Sequence, residues 1–457
     1  MNYNRIDEHI KRIHFIGIGG SGMCPMAEIL FSQGYEITGS DNFESDTLQR
    51  IKSYGIKVFS EHKPENVEKA HLVVYSAAIK QNNPEIVEAK RLGIPVIERS
   101  VMLGVLSRYY EKSVAVSGTH GKTSTTAMIT EILIKSNLDP SAIIGGKLPS
   151  LGGNSKIGKS EIMVCEACEY VDSFLQLNPF IGLILNVDID HLDYFKDLDA
   201  IKRSFNKFAS RCTNAVIING DDQNSIDVVK DIDRKVITFG FNEDCDYRAV
   251  PIEREDTKVF KCFDFYYKND KLCNIKLQTP GEHNLKNALA AAALAHYIGA
   301  DVERIKEALE EFKGVHRRFE ILGNKKGVIV ADDFAHHPTE LKAILTSAMK
   351  MDFKRVIAVF QPHTFSRTYM LMNDFANVLS IPDITILSEI LPVREVNIYG
   401  VKTSDLSEKI PGSIWFNTFD EITEYVLKIA KEGDLILTLG GGNVYICANM
   451  IFDRLGG

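Results

Sequence analysis

Short apolar runs alternating with amphipathic stretches set the rhythm of the chain. Between Lys11 and Ala78, the run His14–Ile18 passes through a glycine turn into a helix-like stretch, Met23–Gln33, and then into Glu36–Thr38, which predicts a strand, a helix and a second strand. Further strand-like runs at Lys57–Phe59, Leu72–Tyr75 and Pro95–Ile97 complete a first α/β unit ending near Tyr109. The rhythm restarts at Ser113–Val116, enters a helix reaching about Lys135, and continues in strands at Glu161–Cys165, Gly182–Asn186, Ala215–Ile218 and Lys235–Phe239. The pattern Phe260, Cys262, Phe263, Phe265 and Tyr267 within Tyr247–Leu277 predicts antiparallel strands, followed by an alanine-rich helix over Asn284–Ile298. After a boundary near Gly314, strands at Val328–Ala331, Arg355–Phe360, Ile384–Leu387 and Leu435–Leu439 with helices between them predict a third α/β unit. The expected domains are 1–109, 110–315 and 316–457.

Length agrees with this division, because 457 residues exceed what one hydrophobic core serves, and roughly 150 residues per domain gives about three. A composition of 45% hydrophobic and 25% charged residues is that of a globular chain. The net charge of −8 is spread without a run of like charges, which argues against nucleic acid as a partner. The polar start, Met1–Arg12, lacks the apolar core of a signal peptide, and no stretch reaches the roughly 20 apolar residues of a membrane span; a cytoplasmic protein is expected. Eight scattered cysteines suit reduced thiols, and the C-x-x-C pair Cys165 and Cys168, with no second pair, is read as packing.

The strongest chemical signal is Gly118-Thr119-His120-Gly121-Lys122-Thr123-Ser124 between a predicted strand and helix. It matches the phosphate loop G-x-x-x-x-G-K-[ST] except that Val116 takes the first glycine position. Backbone amides at the helix start would surround phosphates, Lys122 would reach the β- and γ-phosphates of ATP, and the Thr123 hydroxyl would hold Mg²⁺. An acidic metal partner belongs at a neighbouring strand end, where Glu166 on one strand, and Asp188, Asp190 and His191 on another, are candidates. In the first unit, Gly17, Gly19, Gly20, Ser21, Gly22 and Met23 form a turn suited to a diphosphate, with Asp41 placed to reach a ribose. By itself that turn suits NAD as well as any other diphosphate. In the third unit, Asp332–Pro338 and Gln361–Thr368 follow successive strands and would face one crevice; the adjacent His336 and His337 lack a third ligand at zinc spacing and suit hydrogen bonding.

Taken together and in order, these motifs resemble the Mur ligases over essentially the whole chain: His14–Met23, Gly118–Thr123, Glu166–Glu169, Asn186–His191, Gly281–Asn287, Arg317–Phe319 and Asp332–Pro338. The resemblance implies a Rossmann-like N-terminal domain, a central P-loop ATPase-like α/β domain and a Rossmann-like C-terminal α/β domain. It implies that the first glycine turn binds the diphosphate of UDP-N-acetylmuramate, with Asp41, Ser76 and Arg99 as further contacts. It implies that Lys122 grips the phosphates of ATP, that Thr123 and Glu166 bind one Mg²⁺ and His191 a second, that Asn284 and Asn287 lie on the adenine side, and that Arg318 and Asp333 reach the nucleotide. His336, His363 and Arg367 would line an L-alanine pocket, with Arg367 on the carboxylate and His336 near the amine. The implied activity is ATP-dependent joining of L-alanine to the lactyl carboxylate of the sugar nucleotide in peptidoglycan precursor synthesis, by a monomer or weak homodimer.

Two departures bear on the alanine contacts: Thr364 stands where some members have arginine, and Phe334 where some have tyrosine. Some members also use a carbamylated lysine, for which Lys202 and Lys207 are equal candidates. The competing functions are joining of a whole tripeptide to the same sugar in cell-wall recycling, and NAD-dependent oxidation of a UDP-sugar, which leaves Lys122 and Glu166 without a purpose.

Overall fold

A computed structural model describes residues 5–191, 194–252, 260–393 and 395–455, and these form three sheets. The first has β1 (Arg12–Ile16), β2 (Glu36–Ser40), β3 (Lys57–Phe59), β4 (Leu72–Tyr75) and β5 (Val96–Glu98), all parallel in the order β3-β2-β1-β4-β5. Helices cover both faces, so β1 is buried from Ile13 to Ile16, and its one polar side chain there, His14, is hydrogen-bonded to Thr38 and Glu85.

The second sheet has ten strands: β6 (Lys112–Ser117), β7 (Ser141–Leu148), β8 (Gly153–Lys156), β9 (Ile162–Glu166), β10 (Ile181–Ile184), β11 (Ala215–Asn219), β12 (Lys235–Gly240), β13 (Tyr247–Ile252), β14 (Phe260–Tyr267) and β15 (Asp270–Pro280). Their order is β15-β14-β13-β12-β11-β10-β6-β9-β7-β8. Parallel register aligns Val116 with Glu166 and Ser117 with Ile184, so the chain leaves β9, β6 and β10 along one edge. That alignment brings the phosphate loop, Glu166 and the Asn186 segment together. Within Tyr247–Leu277 the expected antiparallel pairing holds for β13 with β14, while β13 joins β12 in parallel. Residues 253–259 of that stretch lie outside the described residues. The hairpin of β7 and β8 has no counterpart in the expected strands, because Gly145, Gly146, Gly152 and Gly153 interrupt the apolar pattern.

These two sheets belong to one compact unit, and the third sheet belongs to another made mostly of 313–457. The third has β16 (Glu320–Lys325), β17 (Val328–Asp333), β18 (Arg355–Phe360), β19 (Ile384–Ser388), β20 (Ile414–Phe416) and β21 (Asp434–Leu439), in the order β16-β17-β21-β18-β19-β20. Central β21 is buried at every position. Only β16 is antiparallel, as an edge strand with a bulge between Ile321 and Gly323. Asp333, Leu439 and Phe360 stand in register, so the segments after β17, β21 and β18 emerge side by side. No helix among the described residues is long and apolar enough to cross a membrane.

Candidate functional site

The helix Lys122–Lys135 begins at Gly121 with no side chain capping its first turn, which leaves amides for an anion. Gly121 has φ of 88°, and a Cβ there would lie 2.4 Å from Asn287 Oδ1, so the loop needs glycine for conformation and for space. The same approach sets Asn287 against the phosphate loop, with its side-chain amide 3.4 Å from Asn284 Oδ1. Asn186 steadies the loop from the neighbouring strand end: its Oδ1 accepts from the His120 amide at 2.8 Å and its Nδ2 donates to the His120 carbonyl at 3.0 Å.

Thr123 Oγ1 donates to Glu166 Oε2 at 3.1 Å, and Glu166 Oε1 accepts from the Gly145 amide. Hydroxyl and carboxylate oxygens so placed suit a hard divalent cation. A second set of donors comes from Glu169, Asp190 and His191, whose ligand atoms lie within 4.8 Å of one another. Two strained segments shape this set: His191 has φ of 52°, and Val171 and Asp172 after Glu169 have φ of 52° and 55°. Tyr194 OH donates to Asp172 at 2.8 Å and holds the kink. Of the two lysine candidates, Lys202 pairs with Asp227 at 2.9 Å and Lys207 is exposed.

Lys122 bridges the loop and this second set, since its ammonium donates to Glu169 at 3.0 and 2.9 Å and to the Gly118 carbonyl at 2.6 Å. Burial works to lower its pKa, but the Glu169 carboxylate beside it prevails and the pKa is raised. Sequence reasoning placed Glu169 in a motif without a role. The two residues are 47 positions apart, and only the sheet register joins them.

The N-terminal turn reaches the same place. Gly17, with φ of 79°, opens it; the Gly19 amide donates to Asp41 Oδ2 at 3.0 Å, and Arg99 packs against Gly22. A cavity of about 380 Å³ is lined by Gly20, Ser21, Gly22, Met23, Ser76 and Arg99 on one side and by Glu166, Ala167 and Cys168 on the other. Asn154 of β8 donates to the Ser21 carbonyl at 2.6 Å, another contact that sequence reasoning missed.

In the unit of 313–457, the helix Pro338–Met349 starts with a capping box: Glu340 accepts from the amides of His336 and His337 at 3.0 and 3.2 Å, and the His337 ring accepts from the Thr339 amide. His337 is thereby spent on the fold. His336 Nδ1 donates to the Phe334 carbonyl at 3.0 Å, which leaves Nε2 as the basic nitrogen, and burial lowers its pKa. His363 stands 5.5 Å away ring to ring and is pushed down to about 4, by burial first and then by His336 and Arg367. Buried His363 Nδ1 and Arg367 Nη1 have no hydrogen-bond partner among the described residues. Such donors suit a small carboxylate. Asp333 is buried, pushed up to about 6, and both its oxygens accept amides, from Phe319 and Ala335 at 2.7 Å.

Comparison with known proteins follows this division. Residues 12–111 match the catalytic domain of the Mur ligase family, residues 116–295 the Mur ligase middle domain, and residues 317–442 the glutamate ligase domain of Mur ligases. The chain is 46% identical to the UDP-N-acetylmuramate-L-alanine ligase of Caldanaerobacter subterraneus subsp. tengcongensis over 96% of both chains, and 43% identical to that of Acetivibrio thermocellus over 96% of this chain and 95% of the relative. The solved UDP-N-acetylmuramate-alanine ligase of Thermotoga maritima superposes with a TM-score of 0.78 at 29% identity, covering 98% of this chain and 99% of the other. With a phosphate loop, a glycine turn and a histidine-arginine cluster each on its expected strand ends, and with relatives this similar from end to end, the chain belongs to the Mur ligase family.

Proposed function

We propose that this chain is an ATP-dependent ligase that joins L-alanine to the lactyl carboxylate of UDP-N-acetylmuramate through an acyl phosphate, releasing ADP and phosphate, in peptidoglycan precursor synthesis. The observation that carries this reading is the cavity shared by the N-terminal glycine turn and Glu166: a sugar acid held by its diphosphate on the turn has its carboxylate beside the phosphate loop. Residues 1–109 hold the sugar nucleotide, 110–315 the ATP and 316–457 the amino acid.

Gly17, Gly19, Gly20, Ser21, Gly22 and Met23 approach the diphosphate, with Asp41, Ser76 and Arg99 around it. The amides of Gly118–Ser124 and the Lys122 ammonium hold the β- and γ-phosphates, and Asn284 and Asn287 flank the nucleotide, with Arg318 and Asp333 as further contacts. Thr123 and Glu166 would hold one Mg²⁺, and His191 with Glu169 and Asp190 a second; when bound, these ions neutralise phosphate charge and polarise the phosphorus-oxygen bond.

A carboxylate resists an amine until one of its oxygens becomes a good leaving group. Its attack on the γ-phosphorus breaks the bond to ADP, and Lys122 offsets the charge that develops. Arg367 and His363 orient the alanine carboxylate, and His336 Nε2, left free because Nδ1 donates to the Phe334 carbonyl, accepts a proton from the ammonium. The amine then attacks the acyl carbon and phosphate departs.

A phosphate-release assay with Mg-ATP and UDP-N-acetylmuramate tests the proposal. Release that requires L-alanine and yields ADP is expected. Release only with a tripeptide, or none with either acceptor, would overturn it.

A further inference from the structure

We infer that Arg317 is a positioning residue, whose guanidinium clamps the glycine turn Gly440–Asn443 and so sets one wall of the pocket that carries His336, His363 and Arg367. Its pocket label rests on the function proposed above; the clamp itself does not. The side chain is 8% exposed and uses three directions of its fork at once. Nε donates to Asp332 Oδ2 at 2.8 Å, Nη1 to the Gly442 carbonyl at 2.6 Å, and Nη2 to the Gly440 carbonyl. Its guanidinium carbon lies over the rings of Phe334 and Tyr445, 5.0 and 5.1 Å from their centres. Asp332 in turn accepts from Thr438 Oγ1 at 2.5 Å, which ties the clamp to β17 and to β21 just ahead of the turn. The backbone at Arg317 is left-handed, with φ of 60°, a conformation that an arginine keeps only where its surroundings demand it.

The turn is in direct contact with pocket residues. A Cβ at Gly441 would lie 3.1 Å from His336 Cγ, and one at Gly442 would lie 2.3 Å from Gln361 Oε1. Gln361 stands two residues before His363 and grips the turn reciprocally, donating to Asn443 Oδ1 at 2.8 Å and accepting from the Asn443 amide at 3.0 Å. The turn is thus tied to the Gln361 side chain and closely approached by the His336 ring. A lysine would carry the charge but has neither the planar fork nor the stacking face, so it cannot hold three acceptors in three directions.

The test uses the full chain with Arg317→Lys, Asp332→Asn and the double variant, followed by amide hydrogen exchange, by KM and kcat for L-alanine, and by Kd for UDP-N-acetylmuramate. Exchange at Gly440–Asn443 should quicken roughly tenfold, while β18 and β21 keep their protection. KM for L-alanine should rise roughly tenfold and Kd for the sugar nucleotide should stay within about twofold. The double variant should be no worse than the more affected single one, because both break one network. Unchanged exchange at the turn in either folded variant overturns the inference. So does exchange that quickens evenly across 313–457 while kcat falls with the folded fraction. If the unaltered chain releases no alanine-dependent phosphate, the functional proposal fails, and the exchange result still decides the clamp.

Discussion

Glu169 has less than a twentieth of its surface exposed, and its carboxylate lies 2.9 Å from the Lys122 ammonium and 3.9 Å from His191 Nε2. A carboxylate in that position is kept by its partners, since an unpaired buried charge is costly. Glu169→Gln retains the shape and removes the charge. The Mg²⁺ concentration for half-maximal activity should then rise by about tenfold or more, and unchanged Mg²⁺ dependence in the variant would remove Glu169 from the cation site. Lys122, Glu166 and His191 were legible as single residues because strand-end positions and the loop pattern mark them. Glu169 was not, since an acidic residue three positions after another carries no sign of which lysine it meets.

At the scale of elements, the phosphate loop was legible in full, because its glycines answer to backbone geometry and its helix follows at once. Gly121→Ala tests that statement. The left-handed backbone costs an alanine about 1–2 kcal/mol, and the methyl group would collide with Asn287. The expected outcome is a lower melting temperature together with loss of ATP binding, measured by nucleotide titration; a variant that binds ATP as before would show that the loop tolerates a side chain there. The β7–β8 hairpin and the edge strand β16 were not legible, because glycine interrupts the alternation in both. Those elements nevertheless bear on the site, since Gly145 of β7 meets Glu166 and Asn154 of β8 meets the glycine turn.

For the whole molecule, the division of labour predicts that one ligand can be lost without another. Lys122→Ala should lower phosphate release by about a hundredfold or more, whereas Kd for UDP-N-acetylmuramate should stay within about twofold; full activity would refute the role of the lysine. Because the variant leaves Glu169 buried without its ammonium, its stability should fall and recover in part with Mg²⁺, which a thermal melt would detect. The NAD reading of the first glycine turn fails at this scale, since residues 12–111 match a Mur ligase domain and the turn opens onto Glu166. From the sequence alone came the three α/β units, the phosphate loop, the glycine turn and the histidine-arginine clusters, because each is a local pattern of strand, turn and helix that neighbouring residues impose. Only the tertiary structure decided which strand ends adjoin, and hence that Glu169 meets Lys122, that Asn154 holds the turn and that Arg317 clamps Gly440 and Gly442. Those pairings join residues dozens to more than a hundred positions apart; parallel register of β6 with β9 and of β17 with β21 brings the first and last within hydrogen-bond reach, and packing of the β7–β8 hairpin on the glycine turn brings the second, none of which a local pattern encodes.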